Sequence, residues 1–186
     1  MSDDRNSSSN AVLVILAATV LVVLAIGTYV YISNKPPVHS GQVVSVNIYP
    51  IHRELRTGPG SEGLAGEKEV YDQLLVLAEV KIKNQTNIPL FLHDMSGIIN
   101  LPNDEPQRSI GAGTTDFQKV FIAYPDLVPL KKNPVLRGTT LQPGEQIEGE
   151  VIFNYPVSQA QWDSRTGFDV DFVFLHQKDL VLHVAK

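Results

Sequence analysis

Hydrophobic and polar residues follow two separate rhythms along this chain. From Ala11 to Ile32 the sequence AVLVILAATVLVVLAIGTYVYI carries no charge, and its side-chain polar atoms belong only to Thr19, Thr28, Tyr29 and Tyr31. Twenty-two residues at about 1.5 Å each make a helix of roughly 33 Å, enough to cross a hydrocarbon layer of about 30 Å. Tyr29 and Tyr31 fall where an interfacial aromatic belt belongs, with Lys35 just beyond. A cleaved signal peptide has a shorter apolar region, about 7–15 residues behind a basic leader. Here the leader MSDDRNSSSN sets one Arg against two Asp, and Ala25-Ile26-Gly27 is a poor cleavage site. The pattern predicts a short tail over 1–10 and one uncleaved transmembrane helix over 11–32.

Residues 33–41, SNKPPVHSG, read as a linker, because Pro36-Pro37 favours extended polyproline geometry. From Gln42 the period becomes two, the signature of half-buried strands. Val44, Val46 and Ile48 alternate with Ser45 and Asn47 as far as Pro50. Val76, Ala78, Val80 and Ile82 share one face, opposite Glu79, Lys81 and Lys83. LFLHD and GIINL follow. Ile147, Gly149, Val151 and Phe153 then alternate with Glu148, Glu150, Ile152 and Asn154 after a Pro143-Gly144 turn. Phe168, Val170, Phe172 and Phe174 repeat the pattern against Asp169 and Asp171, before a closing hairpin into LVLHVA. Successive strand side chains point to opposite faces. This places Glu148 and Glu150 on a solvated strand face, with Glu145 at the turn. One short helix is expected where Thr115 and Gln118 match a capping box and Phe117, Val120 and Phe121 form one apolar face; Tyr124-Pro125 ends it. Residues 125–138 read as a long surface connection. About seven short strands with one minor helix predict an antiparallel β-sandwich over 42–186, with Trp162 and Phe168 plugging one end.

Charge narrows the partners. The net charge is -5, and setting aside Arg5, Lys35, Asp3 and Asp4 leaves 13 basic and 18 acidic residues, also -5. No basic stripe is available to release counterions from phosphates, so nucleic acid is not an expected partner. The absence of cysteine excludes disulfides, thiolate metal sites and a cysteine nucleophile.

The chemistry-bearing constellations are sparse. Gly58, Gly60 and Gly63 spell G-x-G-x-x-G, but Pro59 lies inside it and a strand follows, whereas a dinucleotide fingerprint opens a helix. With Gly66 these glycines read as a flexible surface loop, the candidate partner-binding segment. His39, His52, His93, His176 and His183 are dispersed, with no metal-ligand spacing. Asp169 and Asp171 share a face and could approach a Ca²⁺ ion, although no D-x-D-x-D-G loop accompanies them. No serine sits in a G-x-S-x-G or S-x-x-K setting. No cofactor motif is present, and an enzyme is not expected.

Two stretches carry a family likeness: L-x-V-x-x-x-V-x-I-x-N from Leu74 to Asn84, and L-x-P-G-x-x-x-x-G-x-V-x-F-x-x-P from Leu141 to Pro156. Together with the terminal hairpin, they make the chain from Gln42 to Lys186 resemble the immunoglobulin-like domains of unknown function found on bacterial membrane-anchored proteins and lipoproteins. This chain departs from them in lacking a lipobox cysteine and in its long 103–138 insertion. The resemblance implies an extracytoplasmic immunoglobulin-like sandwich on the outer side of a bacterial inner membrane, with no catalytic residues. The expected role is protein binding or scaffolding in the cell envelope, through the Gly58–Gly66 loop and the 103–138 segment. The alternative is a small-ligand or cation sensor relaying to a membrane partner.

Overall fold

The structure, a computed structural model, describes residues 4–33, 38–56, 68–102 and 105–184. It divides into two units between Pro37 and Val38. The first is a single helix, α1 (Asp4–Ser33). It begins seven residues before the predicted span, because the polar DRNSSSN stretch, about two turns, continues the same helical path. The stretch Leu13–Tyr31 is long and apolar enough to cross a membrane. Its large side chains are all exposed, from 48% at Val30 to 82% at Tyr31. Thr19 turns its hydroxyl back to the Ile15 carbonyl at 2.9 Å, which satisfies the one hydroxyl in the middle of the run.

The second unit is mostly antiparallel β. Its strands are β1 (His39–Arg56), β2 (Lys68–Asn84), β3 (Leu90–Asn100), β4 (Gln107–Ile110), β5 (Thr140–Leu141), β6 (Gln146–Tyr155), β7 (Gly167–Phe174) and β8 (Leu180–Val184). One sheet runs β1-β2-β6; the other runs β4-β3-β7-β8, with β5 on the remaining reach of β3. Strand β1 takes in His39–Gly41, which the sequence pattern leaves in the linker. The His39 ring stacks on Phe174 at 5.1 Å and its Nε2 meets the Lys178 carbonyl at 2.7 Å, holding this end of the strand to the second sheet.

The core between the sheets is the one the alternation foretells. Val76, Ala78, Val80 and Ile82 from β2 and Val151, Phe153 and Tyr155 from β6 meet Phe168, Val170, Phe172 and Phe174 from β7. Trp162, from the short α3 (Gln159–Ser164), closes one end against Phe168 at 5.3 Å. The Ser158–Gln161 capping box that starts α3 is a sequence signal the strand-centred reading passes over. Asn84 holds the end of β2. Its buried amide nitrogen donates to the carbonyls of Ile88, Leu141 and Gln142, and its oxygen accepts from Thr86. Such an asparagine is a turn clamp, and its place in the Leu74–Asn84 pattern is structural.

The 103–138 region differs from expectation. Helix α2 (Thr114–Ala123) forms, but its N-cap is Gly113 without a side-chain bond, so the Thr115 capping box does not. A 3₁₀ segment, Pro125–Leu130, follows. Phe117, Phe121 and Leu127 pack on Leu75, Leu77, Ile51 and Ile152, covering the outer face of the β1-β2-β6 sheet. The surface connection is a third layer. Its cause is visible in the run Leu74-Leu75-Val76-Leu77-Ala78, apolar on both faces and wholly buried.

Strands β1 and β2 outrun their neighbour. Pairing of β2 with β6 stops at Leu74↔Tyr155, while β1 and β2 continue from Ile51↔Gln73 to Arg56↔Lys68 as a two-stranded ribbon. Strand β1 is a sheet edge, which is why it tolerates Pro50, and its register slips at a bulge between Val43 and Ser45.

Candidate functional site

A row of polar groups crosses the outer face of the β1-β2-β6 sheet where the helical cover stops. Register places Ser45 of β1 opposite Glu79 of β2, and Glu79 opposite Glu150 of β6. On one side the next row is apolar, with Leu77 opposite Ile152 beneath α2. On the other side it is wet, with Lys81 paired to Glu148 at 3.3 Å. The Ser45 hydroxyl donates to Glu79 Oε2 at 2.9 Å, and Lys132 Nζ stands 3.7 Å from Glu79 Oε1.

Glu150 corrects the sequence reading: it shares a strand face with Glu148 but is 2% exposed. The residues after the 3₁₀ segment enclose it. Glu150 N–H donates to the Asn133 carbonyl at 2.8 Å, and the Glu150 carbonyl accepts from Val135 N–H at 2.9 Å, so Asn133–Val135 lies along β6 as a strap. Gly149 permits this, since a Cβ there would run into the Asn133 carbonyl and the Val135 side chain. Glu150 Oε2 is buried with no hydrogen-bond partner among the described residues. Burial, helped by the charge of Glu79, pushes this carboxyl up to about 7, against the opposing pull of the Lys132 backbone N–H and ammonium. The Glu150 carboxyl can therefore hold a proton near neutral pH. Glu145, the third glutamate of the stretch, accepts from Gln142 N–H at 2.6 Å and is a turn residue.

The other acidic row lies on the outer face of the second sheet. Asp169 accepts from Asn100 at 3.0 Å and meets His183 Nδ1 at 2.7 Å; Asp171 lies 3.7 Å from Arg108. Both Asp169 oxygens are thus engaged by protein groups, an arrangement that does not converge on an ion. Among the described residues no group of three His, Asp or Glu side chains is placed to hold a metal. His52 sits on the ribbon, with Nδ1 at 2.7 Å from Asp72, whose hydrogen bond raises the imidazole's basicity. Gly58, Gly60, Gly63 and Gly66 lie outside the described residues, between the ends of the two ribbon strands.

No protein-family model and no curated protein matches the chain. Among solved structures it is similar to the yjhA protein from Bacillus subtilis, at 12% identity over 80% of this chain and 93% of that one, with a TM-score of 0.43. An uncharacterized β-sandwich protein from Clostridium difficile 630 matches at 10% identity over 81% and 87%, with a TM-score of 0.38. A conserved hypothetical protein from Bacillus anthracis matches at 13% identity over 79% and 99%, with a TM-score of 0.30. At these scores the likenesses carry no functional argument, and the architecture rests on this chain's own sheets.

Sequence reasoning missed Ser45, Lys132 and the role of Glu150. Local alternation assigns a residue to a face; it does not say what covers that face. The available signal was the apolar outer face itself, Leu75, Leu77 and Ile152, which needed a partner such as Phe117, Phe121 and Leu127.

Proposed function

We propose that this chain is a single-pass membrane protein whose α1 anchors an extracytoplasmic immunoglobulin-like sandwich to the bacterial inner membrane, where the sandwich binds or scaffolds another envelope component. One observation carries the anchor. Nineteen residues, Leu13–Tyr31, form an apolar helix with every side chain exposed, a surface that requires a non-aqueous environment. The immunoglobulin-like reading is supported by strand order. The first sheet joins the first two strands to β6, and the second sets β3 between β4 and the final hairpin, an order compatible with the A-B-E and C-F-G sheets of that fold. The binding role is supported by the β1-β2 ribbon, which carries exposed His52, Arg53, Glu54, Tyr71 and Asp72 beyond the body of the sheet.

Two measurements test this reading. Protease added to intact spheroplasts should degrade the sandwich while sparing the anchor; survival of the sandwich would place it on the other side and end the topology proposal. A photo-crosslinker at Tyr71 should capture one defined envelope protein, and deletion of residues 58–66 should abolish the product without changing the thermal midpoint. An unaltered crosslink removes the ribbon tip from the binding surface. A small-ligand sensor is the second reading. It is favoured by a groove of about 310 Å³ between Ser40, Gln42, Lys81, Lys83 and Gln146, and thermal-shift titration with small anions checks it.

A further inference from the structure

We propose that the buried Glu150 carboxyl, set opposite Glu79, is a proton-binding site that latches the 131–135 strap, so that proton uptake closes the helical cover on the β1-β2-β6 sheet and proton loss releases it. The geometry supplies three supports. The two carboxyl groups occupy directly opposed positions of an antiparallel pair, where Cβ atoms are about 4.5–5.5 Å apart. Glu150 is 2% exposed, with Oε2 bonded to none of the described residues, a state a neutral carboxylic acid tolerates far better than an anion. The strap that excludes water is fastened to the same residue, by the Asn133 carbonyl and by Val135 N–H.

The groups acting on Glu150 come from each element around it. Strand β2 contributes the anionic Glu79, the strap contributes Lys132, and β1 contributes the uncharged Ser45 on Glu79. The Lys81–Glu148 pair lies one row away and is closed on itself. The helical cover presents Phe117, Phe121 and Leu127 to the sheet. A single ammonium therefore faces two carboxyl groups. Ionising both under the strap leaves one buried negative charge uncompensated, and lifting the strap admits water to it.

The direction of the pH effect follows from linkage. With the strap closed, the Glu150 carboxyl holds its proton up to about pH 7; exposed, it titrates near 4.5. The closed form thus binds the extra proton. Its advantage is complete below about pH 4.5, falls as pH rises towards 7, and changes no further above that.

The test uses the full chain in lipid nanodiscs, following hydrogen exchange of peptides covering 131–135 and 149–152 together with the thermal midpoint, at pH 5 and pH 8. In the native protein, protection of the strap, corrected for intrinsic exchange, should fall by about tenfold or more between the two pH values, since each unit of pKa difference is one decade. E150Q keeps the shape without the charge, and its protection should be the same at both. K132M removes the cation that acts on Glu150 among the described residues and should move the transition to higher pH. Equal protection of the native strap at pH 5 and pH 8 overturns the proposal; so does an unchanged pH slope in E150Q, or an unmoved transition in K132M. None of these readouts depends on membrane topology or on a partner, so the latch and the anchored-scaffold reading fail separately.

Discussion

The sandwich has two outer faces that carry the same acid-x-acid pattern, and they end in opposite states. Glu148-Gly149-Glu150 on β6 and Asp169-Val170-Asp171 on β7 each set two acids two residues apart, pointing away from the inter-sheet core. On the second sheet the acids stay partly open, with Asp169 21% exposed beside His183 and Asp171 17% exposed near Arg108. On the first sheet, α2, the 3₁₀ segment and the strap close over the face and bury Glu150. The difference lies in what residues 114–135 cover, upstream in the chain, and in the apolar outer side chains of the strands that receive them. A strand's alternation fixes which way a side chain points, and a remote segment fixes whether water follows it.

Uncovering the closed face should have the largest effect. Phe121 is 6% exposed, packs against Phe117 at 5.2 Å and anchors α2 to the sheet. F121A should cost about 3–5 kcal/mol in urea denaturation. The matching truncation on the open face, V181A, removes a side chain 43% exposed and should stay within about 0.5 kcal/mol. Comparable losses at the two positions would erase the distinction between the faces.

A smaller effect is expected from displacing the strap while leaving the cover intact. G149A introduces a methyl group into the Asn133 carbonyl and Val135, and should destabilise by about 1–3 kcal/mol. It should also weaken the pH response of the strap, because the Asn133–Val135 segment no longer lies against β6. A neutral G149A would mean that the strap rests on β6 without needing the missing Cβ.

The smallest effect belongs to the open face. The Asp169–His183 contact at 2.7 Å involves a His183 side chain 76% exposed, so solvent and salt screen it. H183A should change stability by less than about 1 kcal/mol, and the change should shrink further in 1 M salt. A larger, salt-insensitive loss would show that this pair resembles the buried row more than its exposure indicates.

Much of the fold was readable from residue order, and the limit of that reading is physical. Period-two alternation at Val76–Ile82 and Phe168–Phe174 located core strands, because inter-sheet burial acts on every second residue. Asn84 and Gly144, the latter at φ +75, marked turns whose backbone chemistry is local. The candidate site was less accessible. Ser45, Glu79, Lys132 and Glu150 come from four separate segments, and only the register of three strands and the path of the strap bring them together. Within α2, Phe117 and Phe121 were recognised as one face, but nothing local named Leu75, Leu77 and Ile152 as its destination.

Pro50 and the bulge at Val43/Ser45 both lie on β1, the unpaired border of the first sheet. A straight border strand offers its free amides and carbonyls to any neighbour. The proline deletes one donor and the bulge breaks the spacing, so adjacent molecules cannot zip border to border into a continuous ribbon. Border-to-border association of two copies would have to accommodate both irregularities.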